Sequence, residues 1–452
     1  MKKLFVAAGL MLCLAFSAVA QEEIKTGYNF GPVPAIAFDA DKGFQLGALV
    51  NIYNFGDGSS YPNYKSMTYL EASFFSKGSK LFTVYYDNMV LIPGVRVSAC
   101  VTAALDKAMD FYGFNGYRSW YNVNRVNDAS LPYYNPFYRV DRVQVLGNVD
   151  FTGNLTDHLQ WELGYHPSYF REGAIDVANI NKGKEGNDVY QEPSTLYQDY
   201  VNWGLIGAEE AAGGFSSTVR LGLQYDTRDK EGAPTRGIWA EGHLQLAPKW
   251  LGTKNPFYRY SLTLRQYFPL IENDVLTAAY RVNYEGSLGN NDPYYILPYM
   301  TRMGLSFDRD GMGGYDTVRG MLRDRAVGLD MATWTAELRW TAELRWRFVK
   351  FVLWKQNIGF GLTAFTDGSV VTRERSMAFT GDEAYRTGYE LYMGEGQAHD
   401  LPHITAGAGL RFIMNENFII AFEYGAPVTA FGGALAGQDG PGAFYINTGY
   451  LF

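Results

Sequence analysis

The chain has 452 residues, with 39 Lys and Arg against 47 Asp and Glu, a formal charge of −8. That sign argues against nucleic acid or an anionic membrane surface as a partner. Its two cysteines are too few for a disulfide-held fold, and beyond the leader no run of eighteen apolar residues is present to make a transmembrane helix.

Met1 to Ala20 reads as a secretory signal peptide. Lys2 and Lys3 give the basic start, residues 4–16 the apolar run, and Ala18-Val19-Ala20 a small-residue cleavage site. The apolar run is too short for an anchor, and polar QEEIK follows at once. Its removal leaves Cys100 alone and 37 cations against 47 anions, a charge of −10. Residues 21–452 contain no linker or composition break and read as a single domain. Aromatic residues make up 16% of the chain and fifty glycines accompany them, which with an export signal points to an outer-membrane β-barrel, where interface girdles need Tyr, Trp and Phe. A large secreted sandwich or propeller is the alternative that the composition permits.

Strand length separates the two. A membrane strand needs about 9–11 residues with one apolar and one polar or small face, whereas strands of soluble proteins average about 5–6. Sixteen segments alternate over the longer span, near residues 31–39, 43–54, 65–76, 79–90, 95–106, 138–152, 156–167, 216–227, 235–247, 257–268, 275–287, 329–349, 357–369, 403–413, 417–425 and 443–452. The expected fold is therefore all-β: a 16-stranded antiparallel transmembrane β-barrel with both ends on the periplasmic side. In the twelfth segment TAELRW occurs twice in tandem, at Thr335 to Trp340 and Thr341 to Trp346. A six-residue duplication keeps every residue type on its own face. Residues 107–137, 168–215 and 288–327 are long loops, the second with a short helix around Glu209 to Ala212, and ordered loops above about 12–15 residues are usually functional.

Within the third loop, Gly313 to Gly328 carries Arg319, Arg323 and Arg325 with no alternation. We expect this segment to fold into the lumen, where Glu337, Glu343 and Asp367 on the strands that follow offer carboxylates. Alternation puts Glu343, Arg345, Phe365 and Asp367 on inner faces. A planar guanidinium can serve two carboxylates at once. The duplication leaves Glu337 as a rival to Glu343; Glu343 is preferred because it is nearer Asp367 in sequence.

The order of these features resembles the bacterial surface antigen superfamily of outer-membrane barrels, of the BamA, TamA and two-partner secretion transporter type. Tyr225-Asp226-Thr227-Arg228-Asp229 with Pro234-Thr235-Arg236-Gly237 looks like its strand-turn-strand signature. Val318-Arg319-Gly320 matches the core of its inward loop, with Met321 where an aromatic is usual. Glu343-Leu344-Arg345-Trp346 resembles its glutamate-bearing strand. Phe365-Thr366-Asp367-Gly368 resembles its F-x-D-x-G element, with the glycine one place early and Ser369 at the expected position. Phe444, Ile446, Thr448, Tyr450 and Phe452 share one face of the last segment, similar to the signal by which the outer-membrane assembly machinery receives its clients.

The resemblance implies a plugged barrel that inserts or translocates proteins or lipids, with outer-membrane lipid, the assembly machinery and a client barrel or secreted protein as partners. About ten residues separate Gln21 from the first strand, so periplasmic POTRA domains are not expected. Pro32 and Pro34 lie two apart and would remove two amides from one edge, which weakens a closing seam if that edge faces the last strand; alternatively both precede the strand. A passive or gated pore and a structural barrel displaying its aromatic loops are the other readings. Five scattered histidines and the absence of G-x-S-x-G or H-E-x-x-H give no catalytic residue, metal site or cofactor.

Overall fold

The computed structural model of the protein describes residues 24–39, 43–61, 63–76, 78–122, 136–183, 185, 186, 189, 194–230, 233–271, 275–290, 292–299, 311–344, 358–414, 418–448, 451 and 452. The proposed leader, Tyr450 and the side chains of Glu343 and Thr448 lie outside the described residues.

Sixteen strands form, in the expected order: β1 (Tyr28–Asp39), β2 (Gly43–Asn54), β3 (Ser66–Phe75), β4 (Lys80–Ile92), β5 (Val95–Asp110), β6 (Arg139–Asn154), β7 (Leu159–Gly173), β8 (Gly213–Asp226), β9 (Gly237–Ala247), β10 (Phe257–Pro269), β11 (Leu276–Ser287), β12 (Asp330–Leu344), β13 (Ile358–Arg373), β14 (His403–Met414), β15 (Phe418–Pro427) and β16 (Ala443–Thr448). They make one sheet in chain order, every neighbour antiparallel. β7 begins three residues later and runs six further than its alternation indicated.

Alternation sets the faces. On β12 Leu338 and Trp340 are exposed while Thr335, Glu337 and Arg339 are buried. On β13 Phe360 and Leu362 point out and Thr363, Phe365 and Asp367 point in; on β14 Ile404 and Leu410 point out and Thr405 and Arg411 in. An apolar exterior over a charged interior inverts a soluble fold and suits hydrocarbon outside the wall.

Connections on one side are mostly short, such as residues 93–94, 155–158 and 415–417; on the other they include residues 111–138, 174–212, 288–329 and 374–402. The brief connection at residues 76–79 lies on the long-loop side, so it does not disturb the parity. Among the described residues four short α-helices decorate the loops: α1 (Val177–Ile180), α2 (Leu196–Asn202), α3 (Ala208–Ala211) and α4 (Arg386–Glu395). The loop aromatics pack on one another instead of being displayed. Phe111, Phe114, Leu196, Tyr200, Trp203, Tyr294 and Leu297 share one core, with the Tyr200 ring 5.3 Å from Phe111 and 5.2 Å from Phe114, both edge-on. Much of the aromatic content that composition assigned to membrane girdles thus builds a dome over the barrel.

The two ends of the sheet, β1 and β16, come within 8 Å of each other by Cα atoms. Pro32 and Pro34 lie inside β1, opposite Val50 and Ala48 of β2. The Phe55 amide donates to Gly27 O at 2.9 Å, so odd-numbered β1 residues bond to β2. Phe44 O accepts from the Ser76 amide toward β3, which leaves the odd residues of β2 for β1 and agrees. In an antiparallel pair the intervening residues face the other way. The two prolines therefore remove amides from the edge that faces β16.

The final segment departs from its expected single face. Phe444 is exposed on the outside as alternation requires, and Ile446 is half-buried. β16 spans Ala443–Thr448 among the described residues, and Phe452 is buried against Tyr267 and Ala279 of β10 and β11. Alternation holds only while a strand lasts, and Phe452 packs inside the lumen instead of on the wall of its own strand.

Candidate functional site

Residues 311–329 fold down inside the barrel, with Met312, Val318, Met321 and Ala326 packed on Met331 of β12 and Val371 of β13. This apolar patch seats the lid and delivers Arg319, which is fully buried, to the lumen wall. Its Nε and Nη2 donate to Asp367 Oδ2 and Oδ1 at 2.8 and 3.0 Å, and its own amide donates to Oδ2 at 3.0 Å. Nη2 lies 2.7 Å from Glu337 Oε1, and Nη1 donates to Glu423 Oε1 at 3.1 Å. The Phe365 ring lies against the guanidinium, 3.4 Å from Cζ to centroid. Burial alone would lower the Arg319 pKa, but Glu337 and Asp367 outweigh it and raise the pKa above the ordinary arginine value.

The acid on β12 is Glu337, not the preferred Glu343. Nearness in sequence misleads here because β12 and β13 are antiparallel: Thr335 pairs with Asp367 and Glu337 with Phe365, whereas Glu343 pairs with Gly359. Six residues along a strand separate the two copies of the repeat by about 20 Å. Glu337 and Asp367 are diagonal neighbours on one face, within reach of a single long side chain.

Glu423 on β15 was missed. It is the one charged residue in that strand and faces inward, which is itself a signal, but no motif drew attention to it. Arg411 Nη2 donates to Glu423 Oε1 at 2.8 Å, and Arg339 Nε donates to Glu337 Oε2 at 2.7 Å. The cluster therefore counts three guanidiniums, Arg319, Arg339 and Arg411, against three carboxylates. Charges this deeply buried persist only when paired in this way.

Of the loop cations, Arg319 is the one that meets Glu337, Asp367 and Glu423 in the contacts described above. Arg325 turns toward the dome, where Nε, Nη1 and Nη2 donate to the main-chain oxygens of Gln438, Gly116 and Ser119 at 2.7, 2.8 and 2.9 Å.

Gly320 explains the tightness of the fit. Its φ is +91°, and a Cβ there would stand 2.3 Å from the Gly425 carbonyl carbon of β15; a Cβ on Gly425 would stand 2.6 Å from Arg319 O. Lid and wall touch backbone to backbone, and the Gly320 amide donates to Tyr445 Oη at 2.9 Å. The two departures from the family motifs touch each other: Ser369 Oγ lies 3.9 Å from Met321 Sδ. Gly368, one place early, faces outward, where a Cβ would meet the Trp334 ring at 2.2 Å.

Histidines scattered in the sequence come together with acids in the fold. His403 is buried between Asp439, 2.6 Å from Nδ1, and Asp400, 3.1 Å from Nε2, with Tyr117 stacked on it at 3.9 Å. Asp150, Glu162 and His166 bring ligand atoms within 4.8 Å of one another, yet Arg220 already lies among them and donates to Glu162 Oε1 at 2.5 Å. That cation takes the place a metal would need. In the strand-turn-strand signature, Arg228 Nη2 donates to Asp226 Oδ2 at 2.8 Å and Asp229 Oδ1 accepts from the Thr235 amide at 2.9 Å, which holds the turn closed.

A lid arginine locked to inward acids of β12, β13 and β15 is the arrangement expected of the inward loop, and the Omp85 superfamily domain matches residues 111–452. The chain belongs to the Omp85 superfamily. This Omp85 barrel, a protein of the bacterial outer membrane, is similar in fold to BamA from Haemophilus ducreyi lacking POTRA domains 1-3, with a TM-score of 0.53 at 13% identity over 94% of this chain and 69% of that one. It is also similar to CdiB from Escherichia coli, with a TM-score of 0.50 at 12% identity over 91% of this chain; it spans 60% of the length of CdiB. No curated protein matches it in sequence.

Proposed function

We propose that this Omp85 barrel inserts or translocates polypeptide or lipid at the outer membrane by parting its wall between β1 and β16, while the arginine-locked lid keeps the lumen shut. The observation that carries the reading is the edge at which Pro32 and Pro34 take two amides out of the closing junction. Backbone groups without partners in hydrocarbon cost several kcal/mol each, so a barrel with no need to open gains nothing from a thinned seam. An extended client segment can add to such an edge through its main chain and take specificity from alternate side chains. Outer-membrane lipid, the machinery that assembles the barrel and a client strand are the partners, and the role needs no catalytic group.

The test uses the full protein in liposomes, with one cysteine in β1 cross-linked to one in β16. Client assembly should fall to background when the seam is locked and return on reduction. Undiminished assembly through a fully locked seam overturns the reading. A second reading, a pore gated by the lid, draws on a cavity of about 690 Å³ on the short-turn side, lined by Arg96, Asp150, Glu162, Arg220 and Gln224 among others. A large stable conductance in Arg319→Ala, with client assembly unchanged, would favour it.

A further inference from the structure

We propose that the lumen wall at Tyr267, Ala279, Arg281 and Arg339 is an exchangeable receptor slot for an aromatic residue of an extended peptide, filled in this structure by the chain's own Phe452. The proposal deepens the insertion reading by naming what a client would present. It rests on that reading for its use in the cell, while its chemistry stands on the slot alone.

The slot is not a hydrocarbon core. Ala279 and the half-buried Leu451 are its apolar neighbours, and the Phe452 ring lies 4.7 Å from Arg339 Cζ, 5.3 Å from Arg281 Cζ and 6.1 Å from the Tyr267 ring. Cations over a ring face recognise any aromatic side chain. The Phe452 oxygen accepts from Arg339 Nη2 at 2.9 Å. The ring contacts would serve any aromatic residue placed there.

The slot also has donors that Phe452 leaves unused. Tyr267 is 2% exposed and its hydroxyl has no hydrogen-bond partner. Two residues earlier on the same inward face, Arg265 stacks on Trp239 at 3.9 Å, makes no ion pair among the described residues and has an unpartnered buried Nε. Buried donors are almost always satisfied in native proteins, so this pair calls for an acceptor. A guanidinium beside a phenol hydroxyl fits a carboxylate. The ligand class is therefore a peptide with an aromatic residue and a carboxylate next to it.

Position supports exchange. Phe452 lies four residues past the Thr448–Ile420 pair of β16, yet packs on β10 and β11. The occupant thus hangs from one side of the thinned seam and would leave when that strand moves.

The experiment uses the full chain refolded into detergent micelles, folding being checked by heat-dependent gel mobility. The probe is a fluorescein-labelled peptide of residues 448–452, Thr-Gly-Tyr-Leu-Phe, followed by anisotropy. Phe452→Ala should bind it at least tenfold more tightly than the parent, since the slot is then vacant. A second probe with Glu for Leu, Thr-Gly-Tyr-Glu-Phe, should bind about tenfold more tightly than the first and lose that gain when Tyr267→Phe or Arg265→Gln is added to the variant, and a probe with Ala for its last Phe should not bind. Equal binding by parent and Phe452→Ala, or by the Phe and Ala probes, overturns the proposal. If Phe452→Ala does not fold, the parent is irradiated with a benzophenone form of the probe; adducts on β10 to β12 support the slot and adducts confined to the β1 edge refute it. Client assembly in liposomes, measured in parallel, reports on the insertion reading separately from peptide binding.

Discussion

Arg319→Ala should release the lid. The side chain holds Asp367 through two nitrogens and lies at 2.7 and 3.1 Å from Glu337 and Glu423. Full Coulomb attraction at an effective dielectric near 20 is about 4 kcal/mol for a pair at 4 Å, and the desolvation of both partners offsets much of it. The relevant quantity is the loss on removing one partner of a buried pair, about 3–5 kcal/mol. Each 1.4 kcal/mol is about tenfold, so the docking equilibrium should shift by about 10² to 4 × 10³. A cysteine at fully buried Val318 in a Cys100→Ser background reports it, because maleimide reacts only with the undocked loop. Labelling should accelerate by about two to three and a half orders of magnitude in Arg319→Ala and by less in Arg319→Lys, whose point charge cannot fork between two oxygens. A rate within about twofold of the parent would show that the apolar patch alone seats the lid, and the reasoning from charge would fail.

Gly425→Ala puts a methyl 2.6 Å from Arg319 O and should cost about 1–3 kcal/mol as overpacking, seen as a lowered melting temperature with faster Val318→Cys labelling. Met321→Phe should destabilise alone and less so with Ser369→Gly, a coupling of about 0.5–3 kcal/mol in a double-mutant cycle, because the two residues touch. Burial alone would raise the Asp439 carboxyl, but His403, 2.6 Å away, outweighs it and holds the pKa below the ordinary 3.8. A depressed folded pKa means this contribution is present at neutral pH and disappears as pH falls below 3.8 through the folded value. Protease protection of the loops should follow that fall in the parent, while Asp439→Asn should lack that step.

The barrel was legible in the sequence because period-two alternation is a local property. β2 matches its expected bounds and Asp367 its expected face. Pairing is not local. Choosing between Glu337 and Glu343 needed the β12–β13 register, which the repeat TAELRW makes ambiguous by design of its own symmetry. Glu423 lay in plain view as a lone charge on an apolar strand, yet its partner comes from 104 residues away. The dome aromatics could not be told from girdle aromatics by composition, since both demand the same residues. Phe452 escaped because a strand's periodicity says nothing about where the chain goes once the strand stops.

Arg325 sits six residues past Arg319 in the same lid, and its bonds run to the β5–β6 and β15–β16 connections. One short loop thus carries both the bolt that enters the wall and the hook that fastens the roof. Withdrawing the plug must tear at the canopy, and loosening the canopy must pull on the plug. A ligand, antibody or phage protein gripping the outer loops would therefore be felt at the lumen acids without ever entering the barrel.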